Sequence, residues 1–339
     1  MSAKVVRTVG ALGAIGSLLM VGPAQAATPF PGANGAIAFT ESVHNQTVIG
    51  IIESDGSHSR IVARSAQSPV WSPDGRTLAY ESDGRLYARK GHVQWPLTKR
   101  QSCEQSAPAY SPDGQYMAYV CARQHGGEVM SAVFTVQANG LLPKNLTGWQ
   151  AAGIESPAWS PDGLYVVYQQ NQRQVSRLLT VQVHTGQTQQ VTELSDQVSS
   201  EAAWSPDGQK ILYSDSQSEV YTIWPDGSHR AVISDGESYH ASWAPNSQKV
   251  AFLDDATGST MSIRQLDDSL VQVPLEVGEE QSIQAFSWSP DGKELVVSAE
   301  YSQDGQRQNG LFKIGVEGEA SAPVKLAEKT VRDMAWQAR

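Results

Sequence analysis

The stretch Trp159-Ser160-Pro161-Asp162-Gly163-Leu164-Tyr165-Val166-Val167-Tyr168 decides the fold, because its pattern recurs along the chain. Pro161 supplies the fixed φ of a turn's second position and Gly163 the position that needs φ > 0, while Ser160 and Asp162 carry side chains that close on the backbone. An aromatic residue stands just before the turn and a short apolar run just after it. Trp71, Tyr110, Trp204 and Trp288 each precede a further Ser-Pro-Asp-Gly, Trp243 precedes Ala244-Pro245-Asn246-Ser247, and Trp336 ends the series near the C-terminus. Successive aromatics lie 39 to 49 residues apart, a period that fits four-stranded propeller blades rather than helical repeats.

Working outward, the apolar runs Leu78-Ala79-Tyr80, Met117-Ala118-Tyr119 and Ile211-Leu212-Tyr213 are strands covered on both faces, as stacked blades require. A third strand leads to a second turn such as Ser54-Asp55-Gly56, Asn139-Gly140 or Asp226-Gly227, which are hairpin signals, and a more polar fourth strand follows. Ile37-Ala38-Phe39 reads as a second strand with no aromatic turn ahead of it, and Val331–Trp336 as a first strand with nothing after it. The two complete one blade. The expectation is an all-β, seven-bladed β-propeller over residues 27–339, its ring closed by the C-terminal strand, which covers the otherwise open inner edge of the first blade.

Residues 1–26 read as a secretory signal peptide: Lys4 and Arg7, an uncharged run over 9–22, then Ala24-Gln25-Ala26 as a cleavage site. The run is too short for a comfortable membrane span, so a periplasmic or secreted protein with no integral membrane segment is expected. With 25 Lys and Arg against 35 Asp and Glu, the formal charge of −10 argues against a nucleic-acid or anionic-lipid partner. Hydrophobic residues at 40%, including 9 Trp and 11 Tyr, argue against disorder.

Because strands alternate in direction, the Ser-Pro-Asp-Gly and Asp-Gly turns share one face of the disc, here the turn face. The opposite loop face carries the longer, irregular connections, and functional residues favour variable loops on a rigid frame. First strands are innermost, so the residues three and four before each aromatic ring the channel mouth on the loop face. Among these, Glu155, Glu201, Tyr239, His240, Arg332 and Asp333 are the candidate partner- or ligand-binding residues. Carboxylates with a histidine could hold a divalent cation such as calcium in the tunnel; the plainer reading is a hydrated rim in which Arg332 neutralises nearby acids. The repeated Asp of Ser-Pro-Asp-Gly is a turn residue. Asp254-Asp255 belongs to the loop face and Asp267-Asp268 to the opposite one, so the two pairs cannot share an ion.

Cys103 and Cys121 flank the blade-three turn nearly symmetrically, at the open end of its hairpin. In an oxidising compartment they should form a disulfide, worth about 3 kcal/mol for so short a loop. Catalytic signatures such as G-x-S-x-G, H-E-x-x-H, G-x-x-x-x-G-K-[ST] and C-x-x-C do not occur, and the seven His are scattered.

The block aromatic-S-P-D-G-x-x-(I/L)-A-(F/Y) with its following D-G turn resembles the propeller repeat of the TolB family, the periplasmic component of the Tol–Pal envelope system. The opening Asn34-Gly35-Ala36-Ile37-Ala38-Phe39 and closing Met334-Ala335-Trp336 are similar to that propeller's ends, and the resemblance spans essentially all of 27–339. That family carries an α/β domain ahead of a six-bladed propeller; the repeat count here is seven, and no such domain is evident. The resemblance implies a non-enzymatic module that binds an envelope protein or peptide at the loop face or tunnel; a monomer without a cofactor is expected. The alternative is a metal-assisted propeller enzyme of lyase or lactonase type acting on a glycan or lactone through Glu155, Glu201, His240 and Asp333.

Overall fold

The computed structural model describes residues 30–99, 102–172, 175–193, 196–199, 202–234, 238–254, 260–266, 270–273, 279–316 and 322–339, with the backbone alone at Tyr239 and 270–273. The signal segment 1–26, Glu201, Asp255, Asp267 and Asp268 lie outside the described residues. Seven antiparallel four-stranded sheets follow one another along the chain. Their innermost strands are Val331–Ala338 for blade 1, then Ala66–Trp71, Glu104–Tyr110, Gly153–Trp159, Ala203–Trp204, Tyr239–Trp243 and Glu279–Trp288 for blades 2 to 7. Each touches the next, and the seventh touches the first, so the ring is closed.

Closure runs through the predicted pairing. Val331–Ala338 lies beside Asn34–Val43, with Ile37 opposite Trp336 and Phe39 opposite Met334. Where the other blades have the turn after the aromatic, blade 1 brings Ala33 beside Arg339, and the two exchange backbone hydrogen bonds of 2.9 Å in both directions.

The turns form as their residue types dictate. In blade 4 the Ser160 hydroxyl donates to Asp162 Oδ1 (2.5 Å), which also accepts from the Leu164 amide (2.9 Å), while Ser160 Oγ accepts from the Tyr165 amide (2.9 Å). The same set recurs at Ser72, Ser111, Ser205 and Ser289. At Asp74 the Ser72 hydroxyl holds the carboxyl below the usual carboxylate range. Gly163 sits at φ 72°, and blade 6 places Ser247 there at φ 60°, its hydroxyl accepting from the Asp207 amide of the preceding turn (2.8 Å).

The core sits between blades. Val166, Val167 and Tyr168 are fully buried, as are Leu212, Tyr213, Ala251 and Phe252, which is why the second strands read as unbroken apolar runs. The aromatics ahead of the turns are core residues. Trp71, Trp159, Trp243 and Trp288 donate their indole N–H to a carbonyl of the preceding blade's inner strand, at Ala335, Ala109, Ala203 and Ser242 over 3.0–3.2 Å. Cys103 and Cys121 are disulfide-bonded with Cα atoms 5.5 Å apart, and the residue directly facing Cys121 is Gln105.

Candidate functional site: the inner rim of the loop face

The residues singled out by spacing fall at a recurring irregularity. In blades 2, 3, 4 and 6 the inner strand slips register against its neighbour, between Gln67 and Val70, Ser106 and Ala109, Glu155 and Ala158, and Tyr239 and Ser242. At each slip a non-glycine residue adopts a left-handed conformation: Ser68 (φ 53°), Ala107 (51°), Ser156 (51°) and His240 (50°). An extra residue there is a β-bulge, a device that re-aims side chains at the cost of about 1 kcal/mol for a left-handed L-residue. Blade 1 slips at Arg332-Asp333, which lie between the pairs Val331–Glu41 and Met334–Phe39.

Of the predicted residues, Asp333 is the one built into a polar arc. Its Oδ2 accepts from the Ser68 amide of blade 2 (3.4 Å). Burial pushes its carboxyl up, against the pull of the Thr40 hydroxyl, the Ser68 amide and the Arg332 charge. Arg332 itself is exposed. Glu155 on blade 4 and His240 on blade 6 are partly buried at their own bulges, and among the described residues no hydrogen bond or ion pair joins Glu155 to Asp333. Burial alone lowers His240 to about 4, so its ring is neutral at ordinary pH. Among the described residues no three His, Cys, Asp or Glu side chains are grouped as metal ligands.

A carboxylate outside the predicted set completes the arc. Glu81, in the second strand of blade 2 (Leu78–Ser82), faces Gln67 across the sheet and accepts from its Nε2 (3.1 Å). Burial raises Glu81 to about 7; the Gln67 amide and the Ala107 backbone oppose the rise, and the Asp333 and Glu104 carboxylates add to it. Superposing the repeats gives the signal that could have found it. The corresponding residues are Thr40, Val120, Gln169, Ser214, Leu253 and Ser298, all neutral and all buried. Beside Glu81 a cleft of about 340 Å³ opens between blades 1 and 2, lined by residues 45–47, 65–67 and 81–83.

The sequence matches the family described as the TolB beta propeller domain over residues 33–290 and again over 107–339. Among solved structures, TolB from Acinetobacter baumannii is 18% identical, with 90% of this chain and 67% of that chain covered and a TM-score of 0.52. An oligogalacturonate lyase in complex with manganese is 12% identical over 87% of this chain and 90% of its own, with a TM-score of 0.69. The oligogalacturonate lyase of Vibrio parahaemolyticus is 10% identical over 88% and 92%, with a TM-score of 0.68. No curated protein sequence matches the chain. At these identities the solved structures are alike in fold.

Proposed function

We propose that this chain, which belongs to the TolB beta-propeller domain family, is an exported module that binds a protein or peptide segment at the loop-face rim. The observation that supports the reading most is the polar arc that Asp333, Ser68, Gln67 and Glu81 form across two blades. A rigid ring holds these groups in place, so a partner segment meets donors and acceptors already ordered, which lowers the entropy cost of binding. A secretory signal at residues 1–26 would deliver the chain to the periplasm or beyond, where a TolB-like propeller finds its partners. The lyase-type reading draws on fold likeness, and the described residues offer it no ligand set.

Affinity capture from envelope extract tests the proposal, with the chain lacking residues 1–26 as bait beside a variant carrying Glu155→Ala, His240→Ala, Arg332→Ala and Asp333→Ala. A protein retained by the native bait and released from the folded variant is the expected result. Equal retention by both moves the binding surface away from this rim. Stoichiometric manganese or calcium held after dialysis, together with cleavage of a polyuronate, would replace the binding module by an enzyme.

A further inference from the structure

Glu81 stands where six other blades carry a buried neutral residue. Its strand tolerates a carboxylate because the cleft between blades 1 and 2 reaches it. Each of the nine lining residues except Ala66 carries a polar side chain. The walls are tied together across the blade boundary: Gln46 Nε2 donates to Ser65 Oγ (3.1 Å), and the Ser82 hydroxyl donates to the Ser65 carbonyl (2.8 Å). Among the described residues no Lys, Arg or His forms an ion pair with Glu81. The charges that act on it are anionic, Asp333 from the inner strand of blade 1 and Glu104 from that of blade 3, and Asp83 lines the same cleft; Arg85, on the same hairpin, donates instead to the Thr98 carbonyl (2.8 Å). A partly buried carboxylate among like charges, lining an open polar cleft, lacks a cation.

We propose that this cleft receives the ammonium group of a lysine side chain carried by the partner segment, with Glu81 as its counter-ion. The assignment rests on the loop-face reading above and specifies it. Glu81 already accepts from Gln67 Nε2 at Oε1 and from the Ala107 backbone, which leaves fewer of its lone pairs for a paired, two-point contact. A planar guanidinium favours a bidentate carboxylate, whereas an ammonium is a compact charge with three divergent donors. Asn45, Thr47 and Ser65, which line the same cleft, carry neutral oxygens that can accept from the other two donors. The neighbouring Asp333 and Glu104 carboxylates, with Asp83 in the cleft lining, raise the local attraction for a cation.

The test uses the tripeptide Ac-Gly-Lys-Gly-NH2, its norleucine and arginine counterparts, and free 1,5-diaminopentane, followed through the side-chain amide signal of Gln67. Native protein should show a saturable shift with the lysine peptide. Replacing lysine by norleucine, or Glu81 by Gln, should weaken binding about tenfold or more. Acidifying through pH ~7 should weaken it too, as Glu81 takes up a proton. Glu81→Gln preserves the contact with Gln67, and the norleucine arm needs no variant at all. No shift, an equal shift with norleucine or with E81Q, or an arginine peptide bound as tightly overturns the proposal. Tighter binding of the free diamine than of the peptide also overturns it. Capture from envelope extract separates the two readings. A partner held equally by native and E81Q baits removes the lysine assignment and leaves the binding module, whereas no partner on either bait removes the module.

Discussion

At Glu81 and His240 the same physical cause, loss of water, drives two titrations in opposite directions. Glu81 rises to about 7, so the folded chain keeps a proton that the unfolded chain releases near its ordinary value of 4.5. Stability from this group therefore falls as pH rises through that window, and the deficit is complete above about 7. Glu81→Gln should raise the melting temperature at pH ~8, equivalent to about 2 kcal/mol, and leave it unchanged at pH ~4.5. An equal gain at both pH values would mean that packing, not charge, limits the site. His240 is lowered from 6.5 to about 4, so the folded chain refuses a proton that the unfolded chain accepts. Its contribution is full above pH ~6.5 and is lost as pH falls toward 4. His240→Asn, which tolerates the left-handed backbone at φ 50°, should flatten the acid limb of a melting-temperature profile between those values. A profile that keeps its slope would place acid sensitivity elsewhere.

Elements differ in how openly the sequence writes them. Each Ser-Pro-Asp-Gly turn is closed by local chemistry: in blade 4 the Ser160 and Asp162 side chains and the Leu164 and Tyr165 amides all lie within six consecutive residues. Asp162→Ala removes the acceptor for both the Ser160 hydroxyl and the Leu164 amide, and should cost about 1–2 kcal/mol in denaturant unfolding; a neutral result would mean that Pro161 and Gly163 hold the turn unaided. The inner-strand bulges are written less openly. Residue spacing located Glu155, His240, Arg332 and Asp333, but the left-handed positions are held by Ser, Ala, Ser and His, with no glycine to announce a positive φ. Ala107→Gly should therefore stabilise by about 0.5–1 kcal/mol, since glycine is relieved of the left-handed penalty. Glu81 escaped because it directly follows the apolar run Leu78-Ala79-Tyr80 and opens the polar stretch Ser82-Asp83-Gly84, so its difference from Thr40, Val120 and Gln169 shows only when repeats are laid over one another. The disulfide was legible from the hairpin's symmetry, although Cys103 pairs with Cys121 across a diagonal rather than directly.

For the whole molecule, the decisive joint is the one that the chain makes with itself. Trp336 and Met334 are buried with Ile37 and Phe39 on one side and Ala285 and Val296 of blade 7 on the other. The C-terminal strand thus fills blade 1 and the interface to blade 7 together. Gln337 Nε2 donates to the Gly75 carbonyl, and Gln337 Oε1 accepts from the Ala36 amide (2.8 Å), so the strand also ties the first turn of blade 2 to blade 1. Two effects of different size follow. Trp336→Ala leaves the backbone ladder intact and should cost about 3–5 kcal/mol, with unfolding still a single transition. Deleting residues 331–339 removes the ladder as well. That exposes the length of Asn34–Val43 as an unpaired apolar edge, which templates association between chains. The deletion should elute as aggregates in size-exclusion chromatography and lose its cooperative melt. A deletion variant that remains a monomer with an unchanged melting temperature would show that six blades and a three-stranded remnant close the ring without their last strand.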